Sequence, residues 1–261
     1  MSKNAIVVLT RGYTKLSGYN NLINRNRYIS VNFYQKLVNP SNYDIIIFHE
    51  GNITIPQQIY IQSQSPKIPL IFKPINFINN NSICSSCPPN DFSNMFTIGY
   101  KNMCFFWSIR FLKYLSEYDY VIRVDEDCKL INIDPNIIEN YKNKEIYYSS
   151  PYFQGHDDKE VVVGMEEFFN NYLKNNNLTP INNNLRCPYT NFMIINIKFF
   201  YNNDLIKDVL SKIYGSNCIF SNRWGDLPIW GYILSYLVEQ KNYLEDKSIS
   251  YYHGSHNIQI N

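Results

Sequence analysis

Val121-Ile122-Arg123-Val124-Asp125-Glu126-Asp127-Cys128-Lys129 runs an apolar strand straight into three consecutive acids. In open α/β sheets, ligands bind beyond the carboxyl ends of strands, where loops and backbone groups converge. Side chains one and three of such a turn can point the same way. Asp125 and Asp127 could therefore hold a hard divalent cation between them and leave positions free for phosphate oxygens. Such an ion would stabilise charge developing on a leaving diphosphate. The same three acids would also make an ordinary solvated turn, because Asp is common in turns.

Outward from this stretch the chain alternates. Ala5 to Leu9 is a compact apolar run, Leu22, Ile29, Phe33 and Leu37 follow at helical spacing, and Tyr43 to Phe48 is a second buried run. Strand, helix and strand in succession predict a βαβ unit and a parallel sheet. Residues 51–98 are rich in proline and poor in periodicity, and read as a long excursion with short strands. Met103, Phe106, Trp107, Arg110, Phe111 and Tyr114 mark one helix face leading into the strand at 120–124. Met165, Phe168, Phe169 and Tyr172 predict another helix, Asn191 to Ile197 a strand, and Leu205, Ile206, Val209, Leu210 and Ile213 a further helix. Trp230, Ile233, Leu234, Leu237 and Val238 close the series. The expectation is one α/β domain over 1–261 with a mixed, mostly parallel central sheet.

A chain of 261 residues can bury a real core, and 45% hydrophobic content excludes disorder. With 24 basic and 22 acidic side chains the net charge is +2, a poor match for gripping a nucleic-acid backbone. No apolar run is long enough to span a membrane. The short run near Met1 ends at Arg11 without a small-residue cleavage site and reads as a first strand. The cysteines are Cys84, Cys87, Cys104, Cys128, Cys187 and Cys218. They are expected to be reduced, since a chain of this size has no need of bridges. Cys84 and Cys87 form a single CxxC without the second ligand pair that zinc requires, and Pro88-Pro89 after it disfavours a redox motif.

Two further segments carry candidate chemistry. In Asn222-Arg223-Trp224-Gly225-Asp226-Leu227-Pro228-Ile229-Trp230, Asp226 precedes a predicted helix. It is either an N-cap, worth about 1 kcal/mol, or a carboxylate at a pocket rim oriented by Trp224 and Arg223. In Tyr251-Tyr252-His253-Gly254-Ser255-His256, His253 could complete a metal shell begun by carboxylates, or belong to a surface tail. A glycine-rich phosphate loop is missing, which counts against a nucleotide-hydrolysing motor and a nicotinamide enzyme.

Taken in order, these segments resemble the fungal α-1,2-mannosyltransferases of glycosyltransferase family 15. Gly99-Tyr100-Lys101-Asn102-Met103-Cys104-Phe105-Phe106 is similar to that family's Tyr-x-x-Met-Cys helix start. Arg123-Val124-Asp125-Glu126-Asp127 is similar to its Arg-Val-Glu-Pro-Asp metal turn, with Asp125 in place of Glu and Glu126 in place of Pro. Asn191-Phe192-Met193-Ile194 with Phe199-Phe200, then Arg223-Trp224-Gly225-Asp226-Leu227-Pro228, then Tyr251-Tyr252-His253, follow collinearly.

The resemblance implies a GT-A fold, with residues 1–130 mainly binding the donor nucleotide and 131–261 mainly the acceptor. It implies Mn²⁺ or another divalent cation, a nucleotide-diphosphate sugar (GDP-mannose in the family), and transfer with retention to a glycan or glycoprotein hydroxyl. Asp125 and Asp127 would bind metal and diphosphate, His253 would complete the metal shell, Asp226 would sit near the acceptor hydroxyl, and Tyr100 and Arg123 would help line the donor site. One departure bears on mechanism: the family's Asn-Phe-Glu-Ile glutamate is Met193 here, and a thioether cannot form a covalent glycosyl intermediate. Glu50, Glu166 and Glu167 are conceivable substitutes. The family's membrane anchor and stem are missing, so a soluble cytoplasmic enzyme is expected, with a bacterial or large-virus source. Rival readings are an inactive carbohydrate-binding scaffold, a UDP-sugar enzyme and a nucleotidyltransferase.

Overall fold

The computed structural model describes residues 3–78 and 85–260. Among the described residues, short β-branched and aromatic runs give twelve strands: β1 (Asn4–Leu9), β2 (Tyr43–His49), β3 (Leu70–Pro74), β4 (Tyr120–Val124), β5 (Cys128–Asn132), β6 (Tyr148–Ser150), β7 (Phe153–Gln154), β8 (Cys187–Pro188), β9 (Phe192–Asn196), β10 (Tyr243–Glu245), β11 (Ser250–His253) and β12 (Ile258–Ile260). Seven of them form the central sheet in the order β10-β6-β9-β4-β1-β2-β3. β9 runs antiparallel to both neighbours, and the other pairings are parallel. The expected mixed, mostly parallel sheet is therefore present. A small antiparallel sheet, β12-β11-β5, and the pair β7-β8 flank it.

Alternation along β1 shows why its run is apolar throughout. Ala5 and Val7 point into a core that holds Trp107, Phe111, Met193 and Trp230. Ile6 points the other way, with Ile29, Phe33, Ile122 and Tyr251. Both faces of a parallel sheet are covered by crossover helices, so neither set of side chains can be polar. Helices Asn20–Asn32 and Ile55–Ser63 make the first two crossovers, and a helix over 98–114 leads into β4. This last helix loosens to a π turn at Phe106–Arg110, where the Phe111 N–H bonds the Phe106 carbonyl. The Trp107 carbonyl is thereby released and accepts from the buried Trp230 indole N–H at 3.0 Å.

Two expectations need correction. Residues 51–98 are not only short strands: Ile55–Ser63 is a helix closed at its start by a Thr54/Gln57 capping box, with Pro56 in the first turn. There the missing proline N–H is no loss, because first-turn N–H groups have no intrahelical partner. The thiols are not all reduced either. Cys87 and Cys218 are disulfide-bonded across 131 residues, while Cys104, Cys128 and Cys187 are free and buried. Cys84 lies outside the described residues. Among the described residues no helix is long and apolar enough to cross a membrane.

The bridge closes a long loop, and breaking it is expected to lower stability by about 2–4 kcal/mol. Thermal melts with and without a dithiol reductant, and of Cys218→Ser, check this; an unchanged midpoint in both would mean that the two thiols are unpaired in solution.

Candidate functional site

β4 is buried over all five residues and ends at the acid turn. Its last carbonyl is fixed by a buried arginine from the first crossover helix: Arg25 donates to the Val124 carbonyl at 2.8 Å and, on the neighbouring β1, to the Val7 carbonyl at 2.9 Å. The turn is closed by Cys128 N–H to Asp125 carbonyl, 3.0 Å, and tied to β9 by Asp125 N–H to Asn191 carbonyl, 2.9 Å.

Arg123, only 2% exposed, lies under the turn. Its Nε and Nη2 reach the two carboxylate oxygens of Asp125 at 2.8 and 3.0 Å, and its Nη1 reaches Asp226 Oδ2 at 2.5 Å. The guanidinium also sits 4.3 Å from the Trp107 ring centre. Burial opposes its charge, but the two carboxylates outweigh burial and hold it firmly protonated. Desolvation holds the Asp125 carboxyl above its ordinary range, with the guanidinium pulling the other way. The helix Asp226–Leu237 is capped by Gly225, and Asp226 makes no capping bond. The N-cap reading of Asp226 is thus overturned, and Arg123 rather than Trp224 or Arg223 orients it. The Trp224 indole instead donates to the Val163 carbonyl.

Asp127 faces a different way. Its carboxylate accepts from the Ser255 N–H at 2.9 Å and lies 3.5 Å from His253 Nε2. Pairing of β5 with β11 places His253 opposite Cys128. Gly254 permits the approach, because a Cβ there would stand 2.9 Å from the Asp127 carbonyl oxygen. Asp127, Cys128 and His253 present ligand atoms within 4.8 Å of one another. Burial and the neighbouring acids push the Cys128 thiol well above its usual range, so it is a neutral S–H. A carboxylate and an imidazole with open remaining positions suit a hard or borderline divalent cation such as Mn²⁺. Asp125, with both oxygens on Arg123, is outside this cluster.

A cavity of about 670 Å³ opens over the turn, lined by Asp125, Glu126 and Asp127 together with Tyr100, Trp107, Arg11 and Glu50. Arg123 and Asp226 lie beneath it, not on its wall. Tyr100 accepts from Arg223 Nη2 at 2.5 Å, and burial raises its phenol to about 12. Arg223 itself stacks over Phe96 and Tyr100 and stands 3.6 Å from Asp157. Of the acids considered as substitutes for the missing glutamate, Glu50 lines this cavity and Glu167 a separate one. Met193 is fully buried, opposite Arg123 on β9, and its sulfur accepts from the Tyr148 hydroxyl at 3.4 Å.

Several contributors escaped the sequence reading. Glu126 accepts from the Thr10 and Tyr13 hydroxyls and so fastens the loop after β1 to the acid turn. Burial first, then Glu126, raises the Tyr13 phenol to about 12. Arg25 had a visible signal: with Asn26 it falls between Leu22 and Ile29 on the apolar face of its helix, where a charge needs a buried partner.

No family model matches the sequence, and no curated protein matches it. Solved structures do match the fold. Core-mannan synthase A (CmsA/Ktr4) from Aspergillus fumigatus, in its Mn/GDP form, superposes with a TM-score of 0.80 at 17% identity, over 97% of this chain and 75% of that one. The mannosyltransferase Ktr4p from S. cerevisiae gives 0.79 at 16%, over 97% and 70%. Mouse xyloside xylosyltransferase 1 gives 0.52 at 12%, over 93% and 84%. At these identities the likeness is one of fold, and the chain has the mixed α/β, GT-A-like fold of these glycosyltransferases.

Arg123→Met would leave the buried Asp226 carboxylate and the half-buried Asp125 carboxylate without the cation they share. It is expected to cost about 3–5 kcal/mol at neutral pH. With the cation gone, the carboxyls bind protons more readily in the folded state than in the unfolded one, so the deficit should shrink as pH falls towards 5. Urea melts of wild type and variant across that range check both the size and the sign.

Proposed function

We propose that this chain is a glycosyltransferase that moves a hexose, mannose from GDP-mannose by preference, to a hydroxyl of a glycan or glycoprotein. The observation that carries this reading is Asp127, which lines a cavity of about 670 Å³ at the carboxyl end of β4 and has His253 Nε2 3.5 Å from its carboxylate. Ligands bind at that edge in open α/β sheets, and the fold neighbours include a Mn/GDP form and a GDP complex.

In this reading Asp127 and His253 hold Mn²⁺, and Asp125, kept in place by Arg123, contributes a negative wall rather than a direct metal bond. The cation, when bound, neutralises charge gathering on the leaving diphosphate. Tyr100 lines the cavity on the side of helix 98–114, and Arg223, bonded to the Tyr100 hydroxyl, would supply a positive charge from behind it. Residues 1–130 carry the cavity wall and form mainly the donor half. His253, Arg223 and Asp226 come from 131–261, the mainly acceptor half.

Met193 shapes the chemistry. With a thioether packed in the core, no carboxylate stands there to attack the anomeric carbon. Transfer with retention then proceeds on one face. The bond from the anomeric carbon to the diphosphate oxygen breaks, the acceptor oxygen bonds the same carbon, and the acceptor proton passes to a diphosphate oxygen. Met193 is also the observation that favours the second reading, a scaffold that keeps the fold and binds sugar without turning it over.

Thermal melts with GDP, UDP and CMP, each with and without Mn²⁺, separate these readings. A ligand at about a hundred times its dissociation constant stabilises by roughly 2.7 kcal/mol, on the order of 5 °C here. The expected result is a Mn²⁺-dependent shift with GDP that Asp127→Ala abolishes while keeping its fold; a shift with UDP alone would change the donor, and none at all would favour the scaffold. Asp226→Asn, which keeps a hydrogen bond to Arg123, is expected to lose transfer by at least tenfold while keeping the GDP shift. Full activity in that variant would remove Asp226 from the acceptor side.

A further inference from the structure

Helix 98–114 borders a second cavity, of about 960 Å³. Phe105, Ile109 and Leu112 of that helix, Leu210 and Tyr214 of the helix Asp204–Ser216, and Phe77 after β3 form its apolar wall. Phe105 and Tyr214 stack with ring centres 5.3 Å apart, which ties the two helices together across the wall. Among the described residues, Phe77 is the one lining residue shared with the cavity over the acid turn.

The charged lining is one-sided. Lys73, Arg110, Lys113 and Lys207 stand against a single carboxylate, Glu117. Glu117 lies 3.9 Å from Lys73, and Lys207 pairs with Asp204, which is outside the wall. Arg110 donates to neutral groups, the Asn76 carbonyl and the Tyr114 hydroxyl, and its guanidinium lies 5.8 Å from the Phe105 ring centre. Lys113, exposed and three residues further on, has no ion pair among the described residues. Two cations thus remain without a carboxylate where an apolar cavity meets solvent. Arg110 also interrupts an otherwise apolar helix face. The π turn Phe106–Arg110 ends on it, and such turns frequently mark functional sites.

We propose that this cavity binds a single-chain anionic amphiphile, with its alkyl chain along the apolar wall and its phosphate or carboxylate head on Arg110 and Lys113. The chain gains by leaving water against aliphatic and aromatic carbon. A neutral apolar ligand would leave both cations without a partner, and a small hydrophilic anion would leave the wall wet. Cavities of this order take small ligands, whereas a stable protein partner needs a covered face of about 800 Å² on each side. Binding here is independent of the donor and of the metal.

Dodecyl phosphate below its micellar concentration is the probe, titrated into the full chain by calorimetry. Dodecyltrimethylammonium, with the same chain and the opposite charge, and inorganic phosphate, with the head alone, are the controls. One saturable site is expected, about tenfold or more tighter for dodecyl phosphate than for either control. Lys113→Glu should weaken dodecyl phosphate by about tenfold, since it reverses one of the two charges facing the head. Ser211→Phe, at an exposed lining position, should fill the cavity and abolish binding while the protein stays folded. Equal binding of the two dodecyl compounds, binding unchanged in both variants, or no saturable binding at all would overturn the proposal. So would self-association in sedimentation that Lys113→Glu alters while dodecyl phosphate is not taken up, because the face would then belong to a second copy of the chain. The melts with GDP and Mn²⁺ are read separately, so the donor reading and this one can fail independently.

Discussion

A single buried cation organises the candidate site. Removing the Arg123 guanidinium from water is costly, and the charge persists there only because two carboxylates and the face of Trp107 surround it. Each partner comes from a different part of the chain. Asp125 is the first residue past β4, Asp226 opens the helix Asp226–Leu237, and Trp107 sits in the π turn of helix 98–114. The same π turn releases the carbonyl that receives the Trp230 indole. Strand end, crossover helix and C-terminal helix therefore share one junction, and moving any of them would leave a buried charge or an indole N–H without a partner.

Around that junction the acid turn divides its labour. Asp125 turns inward to Arg123, Glu126 turns to Thr10 and Tyr13, and Asp127 turns outward to Ser255 and His253. Three adjacent acids would repel one another if they shared one volume. Separate partners let them occupy consecutive positions while only Asp127 remains with open coordination. Arg25 underneath supplies a second buried cation, bonded to strand carbonyls rather than carboxylates, so its charge is not cancelled and offsets the surplus acid of the turn.

Met193 belongs to this balance. It pairs with Arg123 across β4 and β9 and accepts a weak hydrogen bond from Tyr148. A glutamate in its place would put a third carboxylate beside Asp125 and Asp226, which already share one arginine. The thioether keeps the core closed and apolar, and moves any chemistry to the cavity wall, where Glu50 and the acid turn stand.

Periodicity in the sequence determined the alternating strands and helices, the mixed parallel sheet and the position of the acid turn at a strand's carboxyl end, because burial on both faces demands continuous apolar runs and their spacing is local information. The capping box at Thr54-Ile55-Pro56-Gln57 was equally legible, though proline in the first turn disguised it. The Cys87–Cys218 bridge and the Arg25 brace were not, since each joins residues tens to more than a hundred positions apart. The roles of the acids were likewise beyond local reading. Spacing placed Asp125 and Asp127 together, but which carboxylate faces a buried cation and which faces open space depends on what the tertiary fold brings against each one. Side-chain identity fixes what a group can bind; only packing decides which partner reaches it first.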